Sequence, residues 1–304
     1  MRGTLWFAMV IAAVGWGTGG IATRAAFDQG VEPWFLVTAR VIIAAFLVLG
    51  LLLPRRQGIP DRTTLQVGVV MAVANLVIPY VLFTFAYAQA SAGFVGLLAA
   101  MIPMATALFA NRMLPNEPIT RWKLIGLSIG FVGVATLLIS GDSGLAVGGQ
   151  PFLAVLLALP GVASIGFSGS YAKRHAGEYD PTEVTGLQFI FGALILIVPA
   201  LLIEGSPTGI TSNGWLLIVY MAIASTFVPF YLYYRLLQEV PATTVSLIGY
   251  MIPLIALVGG LVLLDERITA GIAFGGALIL AGMLLTDRAD RFAVAGGIRP
   301  EGPP

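Results

Sequence analysis

Ten apolar runs, each near 20 residues, follow one another along this 304-residue chain. They lie near 5–25, 33–53, 64–87, 91–111, 120–140, 152–172, 182–203, 214–236, 241–263 and 268–286. An apolar helix needs about 20 residues to cross the hydrocarbon core of a bilayer. Lipid offers no hydrogen bonds, so a spanning backbone must satisfy its own and coils into helices. The runs therefore predict an all-α integral membrane protein with ten transmembrane helices. Charged residues make up only 10% of the chain, against roughly 25% in soluble domains. Solvation mainly by lipid follows.

The connectors are short, and several carry Gly, Pro, Asp or Asn: Phe27-Asp28-Gln29-Gly30, the stretch 141–150, and the stretch 205–213. Their basic residues set the orientation, because cytoplasmic loops of membrane proteins are rich in Lys and Arg. When helix ends are assigned alternately to two sides, thirteen of the sixteen Lys and Arg residues share one side. Arg24 and Arg267 take the other, and Arg40 lies within a helix. The reading places both N and C termini in the cytoplasm, in a bacterial inner (cell) membrane. The tail 288–304 reads as disordered.

Met-Ile-Pro occurs twice, at Met101-Ile102-Pro103 and, 150 residues later, at Met251-Ile252-Pro253. Pro79-Tyr80 matches Pro229-Phe230 at the same shift of 150. Glu117 matches Glu266 and Gly133 matches Gly282 at 149, and Pro33 matches Pro181 at 148. The ordered drift is that of a duplicated unit with small insertions. Five helices per unit is an odd number, so the second enters from the opposite side. The sequence thus predicts two five-helix inverted repeats, 1–145 and 146–287. Secondary transporters are often built this way, with the substrate site near the midplane.

Certain residues carry a family likeness. The first half holds Gly15-Trp16-Gly17, Pro33, Arg40, 92–98, Pro103, Glu117-Pro118, Trp122, Gly126 and Gly133. The second holds Pro253, Asp265-Glu266, Gly275-Gly276 and Gly282. The chain resembles the EamA-type pattern of the drug/metabolite transporter superfamily, met twice in ten-helix exporters. Within it the likeness is to YddG-type amino-acid exporters. Two departures stand out. Asn116 and Asp265 precede the acidic position where glycine is usual, and Ile165-Gly166 replaces the Trp-Gly pair of the first half. The resemblance implies export of amino acids, related metabolites or drugs without ATP hydrolysis.

Arg40 stands seven residues past Pro33, about 10 Å into the membrane at 1.5 Å per residue. A charge at that depth is costly and marks function by default. Its guanidinium either meets a substrate carboxylate or bonds backbone carbonyls to hold helices together. Gln188 is the matching position in the second half, and Asn75 and Ser225 are a second matched pair. These polar groups either line a midplane cavity or bond neighbouring helices. The aromatic residues Trp16, Tyr80, Phe83, Phe167, Tyr171, Tyr231 and Tyr250 either line that cavity or pack against lipid. Met101 and Met251 are predicted to face each other near the substrate path. Gly17, Pro79, Pro103, Pro229 and Pro253 are candidate hinges or kinks, since each proline removes a backbone hydrogen bond.

Several chemistries are set aside. The chain has no cysteine, and its single histidine, His175, sits beside Lys173 and Arg174. No metal, cofactor or catalytic site is expected, so the chain does not read as an enzyme. Gly15-Trp-Gly-Thr-Gly lies in an apolar span without a preceding strand, so it is not a nucleotide loop. A net charge of +1 gives no reason to expect nucleic acid as a partner. The expected partners are a small-molecule substrate, amino acids first, and membrane lipid; the sequence does not set the oligomeric state, and a monomer is compatible with it. Every Asp and Glu falls at or near a helix end. A proton-coupled pump generally needs a titrating group within the membrane. The sequence therefore leans to gradient-driven export, or to coupling through a peripheral carboxylate.

Overall fold

The computed structural model describes residues 3–52, 60–114, 117, 119–146, 148–205, 207–239 and 247–295. Helices account for nearly all of them, and no strand occurs among the described residues. The helices are α1 (Gly3–Phe27), α2 (Pro33–Leu52), α3 (Arg62–Met71), α4 (Ile78–Gln89), α5 (Ala92–Ala99), α6 (Ile102–Met113) and α7 (Arg121–Ser140). They continue with α8 (Pro151–Arg174), α9 (Pro181–Ile203), α10 (Ser212–Ala222), α11 (Val228–Glu239), α12 (Leu247–Leu263) and α13 (Ala270–Ala295). A π-helical turn, Ala72–Val77, joins α3 to α4, and another, Ile223–Phe227, joins α10 to α11.

Helix starts follow local chemistry. Asp61, Ser91, Thr120, Asp180 and Thr211 each accept a backbone N–H of the first turn that follows. These are the N–H groups that a helix leaves without internal partners. Pro33, Pro151 and Pro181 stand at helix starts, where a missing N–H costs nothing. Gly141 ends α7 at φ 66°, a conformation glycine adopts without strain.

Eight helical stretches among the described residues are long and apolar enough to cross a membrane: Leu5–Phe27, Pro33–Gly50, Arg62–Gln89, Ala92–Met113, Arg121–Ser140, Pro151–Arg174, Thr182–Ile203 and Ser212–Tyr233. Met251–Leu263 and Ala270–Thr286 are shorter apolar stretches. The predicted run at 241–263 is described only from Leu247, and α13 continues as helix to Ala295, past the predicted start of the tail. The remainder of that tail, 296–304, lies outside the described residues. Large apolar side chains point outward around the bundle, Ile139 at 86% and Leu202 at 81% exposure among them. In water such a surface would drive aggregation; in a bilayer it is the solvated face.

Helix pairs come in matched sets. α4 packs on α8 as α11 packs on α1, α6 on α8 as α12 on α1, and α3 on α9 as α10 on α2. α7 with α13, α2 with α9, and α5 with α12 bridge the halves. The matching reaches single residues. A Cβ at Gly126 would stand 2.7 Å from the Gly282 carbonyl, and one at Gly282 would meet the Gly126 carbonyl. A Cβ at Gly133 would stand 2.7 Å from the Gly275 carbonyl, and one at Gly275 would stand 2.9 Å from the Gly133 carbonyl. Only glycine lets the backbones of α7 and α13 approach this closely. The α1–α12 and α8–α6 contacts match in the same way. A Cβ at Gly17 would lie 2.7 Å from Ile255, and one at Gly166 2.7 Å from Ala105.

Candidate functional site

The prolines explain the π-helical turns. A proline brings no N–H and crowds the carbonyl four residues back. Ahead of Pro79 the helix widens, and Ile78 N donates to Val73 O. Ahead of Pro229, 150 residues on, Val228 N donates to Ile223 O. Each ladder is left a donor short, and side chains from the other half fill in. Ser164 Oγ donates to Ala74 O at 2.7 Å. Arg40 Nη2 donates to Ser225 O at 3.4 Å.

Arg40 is only 7% exposed. Its Nε and Nη2 both donate to Thr226 Oγ1, at 3.0 and 2.8 Å. The guanidinium lies over the Tyr80 ring, 4.6 Å from its centroid. No carboxylate pairs with Arg40 among the described residues, so hydroxyl, carbonyl and ring electrons stabilise this charge. In the matching place, Asn75 Nδ2 donates to Gln188 Oε1 at 3.2 Å, and Ser168 Oγ donates to Asn75 Oδ1 at 3.1 Å. Two clasps therefore tie the halves together, one cationic and one neutral. Each joins the helix after a matched proline, α2 or α9, to the π-helical turn of the opposite half.

Aromatic rings surround the cationic clasp. Phe230 meets Trp16 at 5.4 Å, Phe189 at 5.5 Å and Tyr80 at 6.4 Å between centroids, while Trp16 also meets Tyr233 at 5.6 Å. Gly15 and Gly19 let α1 approach: a Cβ at Gly15 would meet the Ala224 carbonyl, and one at Gly19 the Ser225 hydroxyl. The result is one fixed cation beneath a wall of rings, between helices of both halves. The sequence profile of the EamA-like transporter family matches residues 2–139 and 152–286.

The chain belongs to the EamA-like transporter family. EamA-like proteins are transporters, not enzymes, and among the described residues no three His, Cys, Asp or Glu side chains gather as a metal site would need. The chain is 24% identical to the uncharacterized transporter YvbV of Bacillus subtilis, over 93% of this chain and 91% of that protein. It is 24% identical to a probable amino-acid metabolite efflux pump of Escherichia coli, over 91% of this chain and 92% of that protein. Among solved structures, one crystal structure shares the fold with a TM-score of 0.65 at 20% identity, covering 96% of this chain and 99% of that one.

This EamA-like chain distributes the residues singled out from its sequence over several places. Trp16, Arg40 and Tyr80 come together, as do Asn75 and Gln188. Phe167 and Tyr171 belong to a separate aromatic row, with Phe109 at one end and His175 at the other. Tyr231 stacks on Phe227 at 6.1 Å. Met101 is buried in a cluster with Met104, Val134 and Ile279, against which Phe83 packs. Met251 packs instead against Met9, Ala12 and Ile248, so the two methionines sit in separate apolar clusters. The Tyr250 side chain lies outside the described residues. Pro103 follows a break between α5 and α6, whereas Pro253 lies inside the continuous α12. Thr226, Phe189, Phe230, Ser164 and Ser168 join the clasps without having been singled out as site residues; the i, i+4 spacing of the two serines on one face of α8 was their one sequence signal.

The arginine-poor end of the EamA-like bundle carries two carboxylate clasps. Glu204 accepts the N–H groups of Trp34 and Phe35 at 2.8 and 2.7 Å. Glu266 accepts those of Ala92 and Gly93 at 2.6 and 3.1 Å. Burial raises the Glu266 carboxyl above the usual glutamate value; the two amides and the Arg24 charge oppose that rise. Arg24 donates to the Tyr87 carbonyl at 3.1 Å and borders an open pocket of about 390 Å³ with Phe27, Val31 and Glu32. At the opposite end Lys173 pairs with Glu117, the position matching Glu266.

Proposed function

We propose that this protein is a secondary transporter that exports amino acids, chiefly neutral and aromatic ones, and related small metabolites across the inner membrane of a bacterial cell. The carrying observation is the cationic clasp: one buried guanidinium, balanced by neutral groups and walled by Trp16, Tyr80, Phe189, Phe230 and Tyr233. A neutral, aromatic-lined site with a single cation suits an amphiphile carrying a carboxylate and an apolar side chain. The name of the Escherichia coli relative, a probable amino-acid metabolite efflux pump, agrees.

In this reading α12 and α13 complete ten spans, with both termini in the cytoplasm. The two profile matches correspond to five-helix repeats of opposite orientation, which accounts for the matched helix pairs and reciprocal glycine contacts. Trp16, Arg40, Asn75, Tyr80 and Gln188 border the path. Alternating access rocks the halves about the two clasps, with Gly17, Pro79 and Pro229 beside the moving contacts. Export runs down the substrate's own gradient, since no carboxylate among the described residues lies deep in a span.

Purified protein in liposomes, loaded with a panel of amino acids and no ATP, tests the reading. Saturable efflux of the aromatic and large neutral members is expected, at the same final distribution with or without a pH gradient. No flux above protein-free liposomes for any amino acid would overturn the substrate class. Accumulation against a gradient only when ΔpH is imposed would overturn the uncoupled mechanism.

A further inference from the structure

Arg24 and Glu32 line one open pocket of about 390 Å³ at the arginine-poor end of the bundle, together with Phe27, Gly30, Val31, Pro33 and Ala88. Small-molecule sites run from about 300 to 1,000 Å³. Local sequence builds this one. α1 closes on a left-handed Gly30, at φ 78°. Gly30 N donates to Phe27 O and Val31 N to Ala26 O, both at 3.1 Å. These two bonds make a Schellman ending, and Val31 and Ala26 share one apolar cluster as that ending favours. Glycine is required at 30 for a second reason: a Cβ there would stand 2.9 Å from the Gly209 carbonyl. The chain turns at once into Pro33, which starts α2. Arg24, in the last turn of α1, and Glu32, just ahead of α2, thereby come to one cavity.

The two opposite charges do not pair. Among the described residues neither Arg24 nor Glu32 forms an ion pair. Arg24 Nη1 donates to the Tyr87 carbonyl at 3.1 Å, and its other N–H groups meet no acceptor among the described residues. Glu32 is not needed as a cap, because Glu204 already takes the Trp34 and Phe35 amides in the first turn of α2. Its carboxylate stands exposed. A cation and an anion held apart across a cavity leave room for a solute that carries both charges. The rest of the wall, Phe27, Val31, Pro33 and Ala88, is apolar, and the guanidinium lies 6.0 Å from the Phe27 ring centroid. A free amino acid with an apolar side chain has the matching parts: one carboxylate, one ammonium and one apolar body. A simple acid would meet Glu32 as a like charge, and a simple amine would meet Arg24 so, which disfavours both.

We propose that this pocket is a second amino-acid site, apart from the cationic clasp: Arg24 takes the carboxylate of a large neutral amino acid, Glu32 its ammonium, and Phe27 with Ala88 its side chain. The inference deepens the transport reading and rests on it. The pocket continues the line of the clasp. α1 carries Trp16, Gly20 and Arg24 at intervals of about one turn, and α4 carries Tyr80 and Tyr87 seven residues apart on one face. Arg24 stands about 12 Å beyond Trp16 along α1 at 1.5 Å per residue. Between the two stations the Tyr87 ring packs at Gly20, where a Cβ would meet its hydroxyl. In the orientation proposed above, the pocket is the outer mouth of the path. An amino acid leaving the ring-walled site is held there before release, and solute returning from outside meets the same pocket first.

The chain has no cysteine, so one introduced thiol reports on the pocket alone. Ala88→Cys places it in the wall. Purified protein in micelles is labelled with a maleimide at fixed pH, with and without L-phenylalanine. Labelling is expected to slow about fivefold at about four times the half-protecting concentration, as one-site binding requires. 3-Phenylpropionate lacks the ammonium and phenethylamine lacks the carboxylate; each is expected to need about threefold more or higher, the scale of one exposed charge contact. Glu32→Gln should bring 3-phenylpropionate level with L-phenylalanine, and Arg24→Gln should bring phenethylamine level with it. Arg24→Lys keeps the charge and should keep the preference for the zwitterion. Labelling without ligand at the parent rate shows that a variant keeps the pocket; where Arg24→Gln alters that rate, Arg24→Lys and Glu32→Gln carry the test. Arg40→Leu, or Trp16→Ala should that variant fold poorly, is expected to leave the protection in place. No protection by any of the three compounds, equal protection by all three in the parent, or loss of protection in Arg40→Leu with its unliganded rate unchanged overturns the site. Flux in the liposome panel without protection here removes the pocket and leaves the transport reading standing; protection without flux does the reverse.

Discussion

Thr226→Val removes one hydroxyl and leaves the shape of the side chain almost intact, which makes it a sharp test of the cationic clasp. In the native protein that hydroxyl accepts two guanidinium donations, at 2.8 and 3.0 Å, in a site closed to water. Hydrogen bonds to charged groups are worth about 1.5–3 kcal/mol each. Arg40 keeps the Ser225 carbonyl at 3.4 Å and the Tyr80 ring at 4.6 Å, and the guanidinium gains a little by shifting towards them. The net loss is then about 3 kcal/mol, a change of roughly a hundredfold in the folded-to-unfolded ratio. Thr226→Ser keeps the hydroxyl and is expected to lose less than about 1 kcal/mol. Arg40→Met with Thr226→Val removes the buried charge together with its acceptor. The double variant is expected to be more stable than Thr226→Val alone, because an orphaned charge costs more than an apolar pair of similar volume. Reversible unfolding in mixed micelles, followed by tryptophan fluorescence, measures these three and the Arg40→Met single. A Thr226→Val protein within about 0.5 kcal/mol of wild type, or a double variant at the sum of its singles, would show that the clasp does not hold Arg40's charge. In the transport assay Arg40→Leu is expected to abolish export.

Four further outcomes follow from the geometry. Gly133→Ala should destabilise by about 1–3 kcal/mol, since its methyl meets the Gly275 backbone, while Gly130→Ala meets only the flexible end of Met104 and should cost less; unfolding midpoints decide. Trp16→Ala should shift the substrate preference in the liposome panel away from aromatic amino acids, because it removes one wall of the ring cluster. Glu204→Ala should loosen the start of α2 by about 1 kcal/mol, seen as faster amide exchange at Trp34 and Phe35, with Glu204→Gln in between. Asp61 is held below the usual aspartate value mainly by the Thr64 amide. A depressed carboxylate stabilises the fold above its unfolded value and stops doing so as pH falls through its folded one. Thr64 amide protection should therefore hold at neutral pH, fade in strong acid, and be absent at every pH in Asp61→Ala.

Apolar run lengths made eight of the spans readable in advance, because lipid leaves a chain few choices of backbone. The duplicated prolines read as kinks in the sequence; Pro79 and Pro229 follow π-helical turns, whereas Pro103 starts a helix and Pro253 lies inside one. What sequence did not single out is which hydroxyls would fill the gap. Thr136 and Ser128 bond back to their own helix, as Thr and Ser in apolar runs commonly do. Thr226 and Ser168 look the same in sequence, yet reach the opposite half. Only the packing of α2 against the second π-helical turn tells them apart. The matched Met-Ile-Pro segments teach the converse: identical residues at matched positions sit in a broken helix at one site and a continuous one at the other. Glu117 and Glu266 diverge in the same way, one on a lysine and one on two amides.

The exchange of hydrogen bonds across the π-helical turns makes each half depend on the other. The Ala74 carbonyl is bonded by Ser164, and the Ser225 carbonyl by Arg40. In neither half is this donor supplied from within. A half on its own would therefore leave one carbonyl of its widened turn without that donor. Cutting the chain within the 141–150 loop and producing both pieces in one cell should restore that exchange from parts that fail separately.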